Sequence, residues 1–558
     1  MGTMASRGAK AFLTIWLLAI SFVFLYYYPN GTGVYRYPGM FVTSMDMFAN
    51  GYASTDVITR IPILSTTTLD QSSYGSDFAR VAIQNASQYP SLVSAYLIVM
   101  ELTGMGARDF MALGIGIFFV PVVVYITTRR LLSTTVAAAY ASYFTVYMLT
   151  LPVSYRSYAS FITVPALFLL IYIIHRSLDT SRKRVQGLLF LLIFLHPLTW
   201  HTATIQVGTL IVGILGLAVV ATYVSRHSDR IVARYPVENL LRTIVFAGII
   251  TATFIAIWDS LYVAAILMGG LPLGDFISNI AGLLGSGGGS DPIPYEWDYR
   301  KMYAGTVYFY THMLIHVISA LLMTVATGYL GLSVLRGKRL SERQTRALIY
   351  LLGAGGAQII FSVLYSRTAL GLAFVTDVFI LIGVYGILTI NVDQRIRKGA
   401  TVSALAICLV LSATMVGAIA TTDNLGRDPV TTHESTDSSS QWIDGYTNGL
   451  VMTDFNLQSS FMSNTIQSGN ELYEVLVVDP HHYEMAVGDR PLQPEYTSAY
   501  YVVDQASRDD KRPIHAYSDR VLMEPYPDRI DENGELNRIY GDESVTIYQF
   551  DDEAASES

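Results

Sequence analysis

The sequence predicts a mainly α-helical, polytopic membrane bundle of about eleven transmembrane helices, with an exported α/β soluble domain at its C-terminus. Three observations carry this. Hydrophobic residues fill 52% of 558 positions and the mean hydropathy is +0.39; they fall in blocks near the ~20 residues that a bilayer crossing needs. Charge is divided, with 28 Lys/Arg against 17 Asp/Glu in residues 1–422 (net +11) and 8 against 27 in residues 423–558 (net −19). In the first part the basic residues cluster in alternate gaps between apolar blocks, as expected when basic loops stay cytoplasmic.

The first block, 11–28, follows Arg7 and Lys10 and ends in Tyr26-Tyr27-Tyr28-Pro29. An aromatic belt without a small-residue cleavage site reads as an uncleaved span. Further spans are expected near 109–128, 134–151, 158–175, 186–200, 203–224, 243–267, 307–335, 347–365, 369–390 and 400–420. Alternation from a cytoplasmic N-terminus places 20 of the 28 cations inside, among them Arg129, Arg130, Arg176, Arg226, Arg336, Arg346 and Arg395. The apolar stretch 91–104 would reverse every later cluster if it crossed, so a short re-entrant or interfacial helix is expected there. Asn30 and Asn85 begin Asn-x-Ser/Thr triplets in the first outer loop, in agreement with this orientation. An odd number of spans then exports the acidic domain from a multi-pass protein of the plasma membrane.

Two outer loops are long. Residues 29–90 contain Asp46, Asp56, Asp70 and Asp77, and residues 268–302 contain the Gly/Ser run 286–290; the latter is a candidate mobile lid or, equally, a disordered connector. A polar linker, 423–440, precedes the domain at 441–558. There, strands are expected at 449–454, 475–478 and 500–503, a helix at 455–467, and a closing hairpin from 538–540 and 545–548. The single cysteine, Cys408, excludes intrachain disulfides.

Polar groups at span ends or at membrane depth are costly unless paired or functional. Leu195-His196-Pro197-Leu198-Thr199-Trp200-His201 interrupts an apolar region, and reads as a phosphate- or proton-handling site or as a hinge with solvated histidines. Arg156 in an outer turn could fork onto a phosphate or snorkel to the interface. His312 and His316 lie four apart in a span. Arg367 sits in another outer turn and is the expected partner of Asp377. Asp46, on a stretch able to lie along the membrane, could act as a general base or hold a divalent cation that bridges a phosphate. No Ser-His-Asp order, CxxC, Walker loop or dinucleotide fingerprint is present, and no nucleic-acid partner is expected.

The stretch Tyr89-Pro90-Ser91-Leu92-Val93-Ser94-Ala95-Tyr96-Leu97, then Leu102-Thr103-Gly104, then a span ending in Thr127-Thr128-Arg129-Arg130-Leu131, resembles the GT-C superfamily of integral-membrane glycosyltransferases, in its protein-mannosyltransferase and aminoarabinose-transferase branches. The resemblance implies transfer of a sugar from a polyprenyl-phosphate donor to a glycan or protein acceptor on the outer face. It implies a first-loop acid, Asp46 or Asp56, as base, and Arg156, His196, His201 and Arg367 as holders of the lipid phosphate. The family's acidic pair, about a dozen residues before a Gly, is not matched, since Asp46 stands alone five residues before Gly51. Two other readings stay open: a lipid-linked sugar flippase or transporter, and a noncatalytic cell-surface assembly or receptor protein.

Overall fold

The computed structural model describes residues 2–27, 98–99, 101–104, 116–150, 160–196, 201–233, 235–258, 295–365 and 368–421, and in the C-terminal region 442–443, 445–446, 449–453, 473–477, 485–486, 488, 498–504, 514–515, 521–522, 530, 533–534, 536–541 and 545–550. The chain divides into two compact units, one built mainly on Met111–Thr422 and one that includes Asp423–Ser558.

The described part of the first unit is helical. Its helices are α1 (Gly2–Phe22, extended by a π-helical turn Val23–Tyr27), α2 (Gly116–Leu131), α3 (Thr134–Met148), α4 (Ser160–Asp179), α5 (Lys183–Leu195), α6 (His201–His227), α7 (Val237–Trp258), α8 (Tyr295–Leu335), α9 (Glu342–Tyr365), α10 (Thr368–Ile387) and α11 (Gln394–Thr421). Each overlaps one apolar segment of the sequence. Among the described residues six have the length and apolarity to cross a membrane, within α1, α4, α6, α7, α8 and α11. Apolar residues such as Leu18, Val212, Phe246, Val317, Leu321 and Val410 lie exposed on these helices, as lipid-facing residues do.

Basic residues mark one end of six of these helices. They sit at the C-terminal ends of α2 (Arg129, Arg130), α4 (Arg176) and α6 (Arg226) and at the N-terminal ends of α5 (Lys183, Arg184), α9 (Arg343, Arg346) and α11 (Arg395, Arg397, Lys398). The loops after α6 and α8 meet at this end, where the Leu340 N–H donates to the Arg230 carbonyl at 2.9 Å. Between α6 and α9 the backbones nearly touch at Gly213 and Gly353. A Cβ on Gly353 would lie 2.9 Å from the Ile214 backbone, so the crossing needs small residues on both helices.

Pro121, inside α2, has no N–H to give the carbonyl four residues back, that of Ile117. The indole Nε1 of Trp16 on α1 donates to that carbonyl at 2.8 Å. Around this bond Phe12 stacks on Tyr125 at 4.7 Å, and Phe12 packs with Ala138 and Ala141 of α3. One proline thus sets the contact of three helices.

In the second unit, residues 98–99 and 101–103 are helical and end at Gly104, whose φ of +69° suits glycine. The domain near the C-terminus holds β1 (Gly449–Thr453), β2 (Tyr473–Val477), β3 (Tyr500–Asp504), β4 (Ile514–His515), β5 (Val521–Leu522), β6 (Leu536–Gly541) and β7 (Val545–Phe550). Five strands form one sheet in the order β2-β1-β3-β7-β6, parallel across β2, β1 and β3 and antiparallel across β3, β7 and β6. The expected strands and hairpin therefore pair; the expected helix at 455–467 lies outside the described residues. Side chains alternate between faces. Met452, Tyr501, Val503, Tyr548 and Phe550 join one buried cluster, and Val451, Val502, Val545 and Ile547 join another with Ile443. Both faces are covered, as parallel strands require.

Removing the indole donor by Trp16→Phe should leave the Ile117 carbonyl unsatisfied and cost about 1–3 kcal/mol. Adding Pro121→Ala restores an intrahelical N–H at position 121, so the double variant should lose less than Trp16→Phe alone. Thermal unfolding of the purified protein in nanodiscs measures both; an additive double variant contradicts the account.

Candidate functional site

Two polar clusters lie inside the helical unit, far apart along its helices. The first is at the basic end. The Arg346 side chain, 8% exposed, reaches Asp179 of α4 at 2.5 Å and Glu342 of its own helix at 3.1 Å. An arginine only donates, so the His175 Nε2 at 3.4 Å accepts from it. The proton of that imidazole then sits on Nδ1, which donates to the Tyr350 hydroxyl at 3.0 Å. The guanidinium also lies 5.7 Å from the centre of the Tyr235 ring, and Arg343 caps Tyr385 at 5.9 Å, both within cation–π range. Burial pushes the Tyr235 phenol up to about 12, against the opposing pull of Arg346, so the ring faces the cation as a neutral phenol. The ion pair of Arg346 with Asp179 makes this cluster a clamp between α4 and α9.

The second cluster is deeper and carries less charge. Asp377 of α10 is buried, and its Oδ1 accepts from the Tyr143 hydroxyl at 2.7 Å while its backbone carbonyl accepts from the Tyr140 hydroxyl at 2.7 Å. The expected partner, Arg367, lies outside the described residues, and the contacts found here come from α3 instead. Tyr140, Tyr143 and Tyr147 repeat at three and four residues, so they form one stripe of α3. The Tyr143 ring packs on Tyr147 at 5.7 Å, and Tyr147 stacks on His312 of α8 at 6.0 Å. Tyr308 also stacks on His312, at 5.8 Å, and the Nε2 atoms of His312 and His316 are 2.9 Å apart. Tyr308, His312 and His316, each four apart, form the facing stripe.

The site residues expected from the sequence are not brought together among the described residues. Asp46, Asp56, Arg156 and Arg367 lie outside them, as does the divalent cation expected beside Asp46. His196 is buried at the C-terminal end of α5, where its N–H bonds the Leu192 carbonyl, which differs from a solvated hinge histidine. His201 is the first residue of α6. Among the described residues no group of three or more His, Cys, Asp or Glu side chains could hold a metal ion. The tyrosine stripe of α3 is what sequence reasoning missed; its signal was the 140, 143, 147 spacing inside an apolar segment.

Comparison of the chain with protein-family models and with curated proteins finds no match.

A phenylalanine at position 143 keeps the ring contact with Tyr147 and removes the donor to Asp377. We expect Tyr143→Phe to cost about 1–3 kcal/mol, more than Tyr140→Phe, whose bond is to a neutral carbonyl. Equal losses in thermal unfolding would show that the carboxyl contact has no special weight.

Proposed function

We propose that this chain is a multi-pass plasma-membrane protein that transfers a sugar from a polyprenyl-phosphate donor to a glycan or protein acceptor on the outer face. In this reading all eleven helices cross the bilayer, the N-terminus and the basic helix ends face the cytoplasm, and the acidic sheet domain is exported. The observation that carries it is the separation of chemistry within the bundle. His196 ends the helix that Lys183 begins, about 20 Å away at 1.5 Å per residue, and His312 lies 24 residues, about 36 Å, before Arg336. His196 and His312 thus each lie away from the basic helix ends, on the side where the resemblance to GT-C enzymes expects a lipid-phosphate donor. Asp46 or Asp56 serves as base, with Arg156, His196, His201 and Arg367 around the phosphate.

A second reading is a transporter or flippase of the same lipid-linked sugar. It draws on Asp377 and the His312–His316 pair, because ionisable residues inside membrane helices mark proton and substrate paths in transporters.

The two readings separate in one experiment. Asp46→Asn and Asp56→Asn variants are compared with the wild type and a deletion strain for surface glycans and for lipid-linked sugars on each leaflet. Transfer predicts that one of these variants loses the surface glycan and accumulates its donor on the outer leaflet. Donor held on the inner leaflet of the deletion strain supports the flippase instead, and unchanged glycans in the deletion strain contradict both.

A further inference from the structure

We propose that His312 is a proton-binding site within the helical unit, with His316 as its hydrogen-bond partner, Tyr147 and Tyr308 as the faces that hold the imidazolium, and Asp377 as the counter-charge. The geometry at the ring supports this first. His312 is buried and nearly parallel to two tyrosine rings, tilted from it by only 7° and 9°. Both centroids are within the roughly 6 Å over which an aromatic face attracts a cation. A neutral imidazole gains mainly dispersion from such stacking, whereas an imidazolium also gains from the negative face of each ring.

The edge of the ring gives the second argument. Two imidazole nitrogens 2.9 Å apart require one proton between them, so one Nε2–H donates and the other Nε2 accepts. The pair can therefore be neutral or carry one positive charge with this bond intact. Two positive charges would make both nitrogens donors and break it. The pair is built to take up one proton.

The surroundings supply the third. α10 and α11 both pack against α8. α10 brings Asp377, and α11 brings Cys408 within electrostatic reach of that carboxyl. From α3 come Tyr140, Tyr143 and Tyr147, which join the carboxyl to the histidine stripe. α9 also touches α8, and its Arg343 and Arg346 belong to the clamp at the basic end. Among the described residues, the charged group joined to this stripe is the Asp377 carboxyl, two tyrosines away from His312. In the proposal that carboxyl balances a single positive charge on the histidine pair, as buried charges require. This inference does not rest on the sugar-transfer reading, because a proton site serves either transfer or transport.

The test is a histidine-selective ¹⁵N NMR or infrared pH titration of the full chain in nanodiscs. The chain has ten histidines, so the wild-type minus His312→Gln difference isolates the site. The proposal expects this difference to contain a protonation step between about pH 5 and 9. Tyr147→Leu and Asp377→Asn should each lower the proton affinity of that step by about tenfold, while Tyr147→Phe, which keeps the ring, should leave it within about threefold. The wild-type titration needs no variant to fold, and thermal unfolding checks the variants. Absence of any histidine protonation in that range, a step that persists in His312→Gln, or folded Tyr147→Leu and Asp377→Asn proteins with unchanged affinity would overturn it. Because the readout involves no sugar, its failure is distinct from failure of the transfer reading.

Discussion

Inside hydrocarbon no water is at hand to satisfy a backbone or side-chain polar group, and the described helices are organised around that constraint. Where Pro121 opens the ladder of α2, Trp16 from a different helix fills the gap at Ile117. Hydroxyl side chains turn back on their own helices, as Thr128 does to Val124, Thr145 to Ala141 and Ser412 to Cys408. These bonds hide the hydroxyls without fixing any helix to another. The bonds that do fix helices are fewer. Trp16 ties α1 to α2, Tyr140 and Tyr143 tie α3 to α10, and Arg346 ties α9 to α4. Apolar packing alone discriminates poorly between helix partners in lipid, because lipid tails are as apolar as leucine, so these polar bonds and close glycine crossings such as those at Gly353 and Gly383 help to specify which helices meet.

The same constraint sorts the polar residues by end. Charged pairs such as Arg346 and Asp179 sit at the basic end, with Asp179 35% exposed and Glu342 47% exposed, so solvent helps to carry the charge there. Deeper in the bundle, the cluster among the described residues holds tyrosines, histidines and one carboxyl, which can satisfy one another through neutral or singly charged states. A cluster of that kind costs less to bury than a full ion pair, and it can still gain or lose a proton. The basic end is suited to fixing orientation and the interior cluster to chemistry.

Much of the helical architecture was legible in the sequence. Eleven apolar segments each overlap a helix, and the turn at Gly104 follows the helix expected near 91–104. In the acidic region the alternation at 449–454, 500–503 and 545–548 marked strands observed at 449–453, 500–504 and 545–550, though their mixed order came from long-range pairing that alternation does not encode. Side-chain partners were less legible. Hydropathy defines a segment but not its rotation about its own axis, so nothing in it joins Trp16 to a carbonyl 101 residues away or turns Asp377 toward Tyr143, 234 residues earlier. Sequence proximity favoured Arg367 for that carboxyl, and the tyrosine stripe of α3 resembled ordinary core. Of the candidate site, only His196 lies among residues whose side chains are described.

The proposed orientation is vectorial: in it the basic helix ends face the cytoplasm and the acidic sheet domain is exported. Site-directed labelling tests it most directly. Single cysteines replace Arg230, Arg395 or the exposed Tyr446 in a Cys408→Ser background, and intact cells are treated with a membrane-impermeant maleimide. The account predicts labelling at position 446 in intact cells and at positions 230 and 395 only after permeabilisation. Labelling of all three positions from the same side would contradict it.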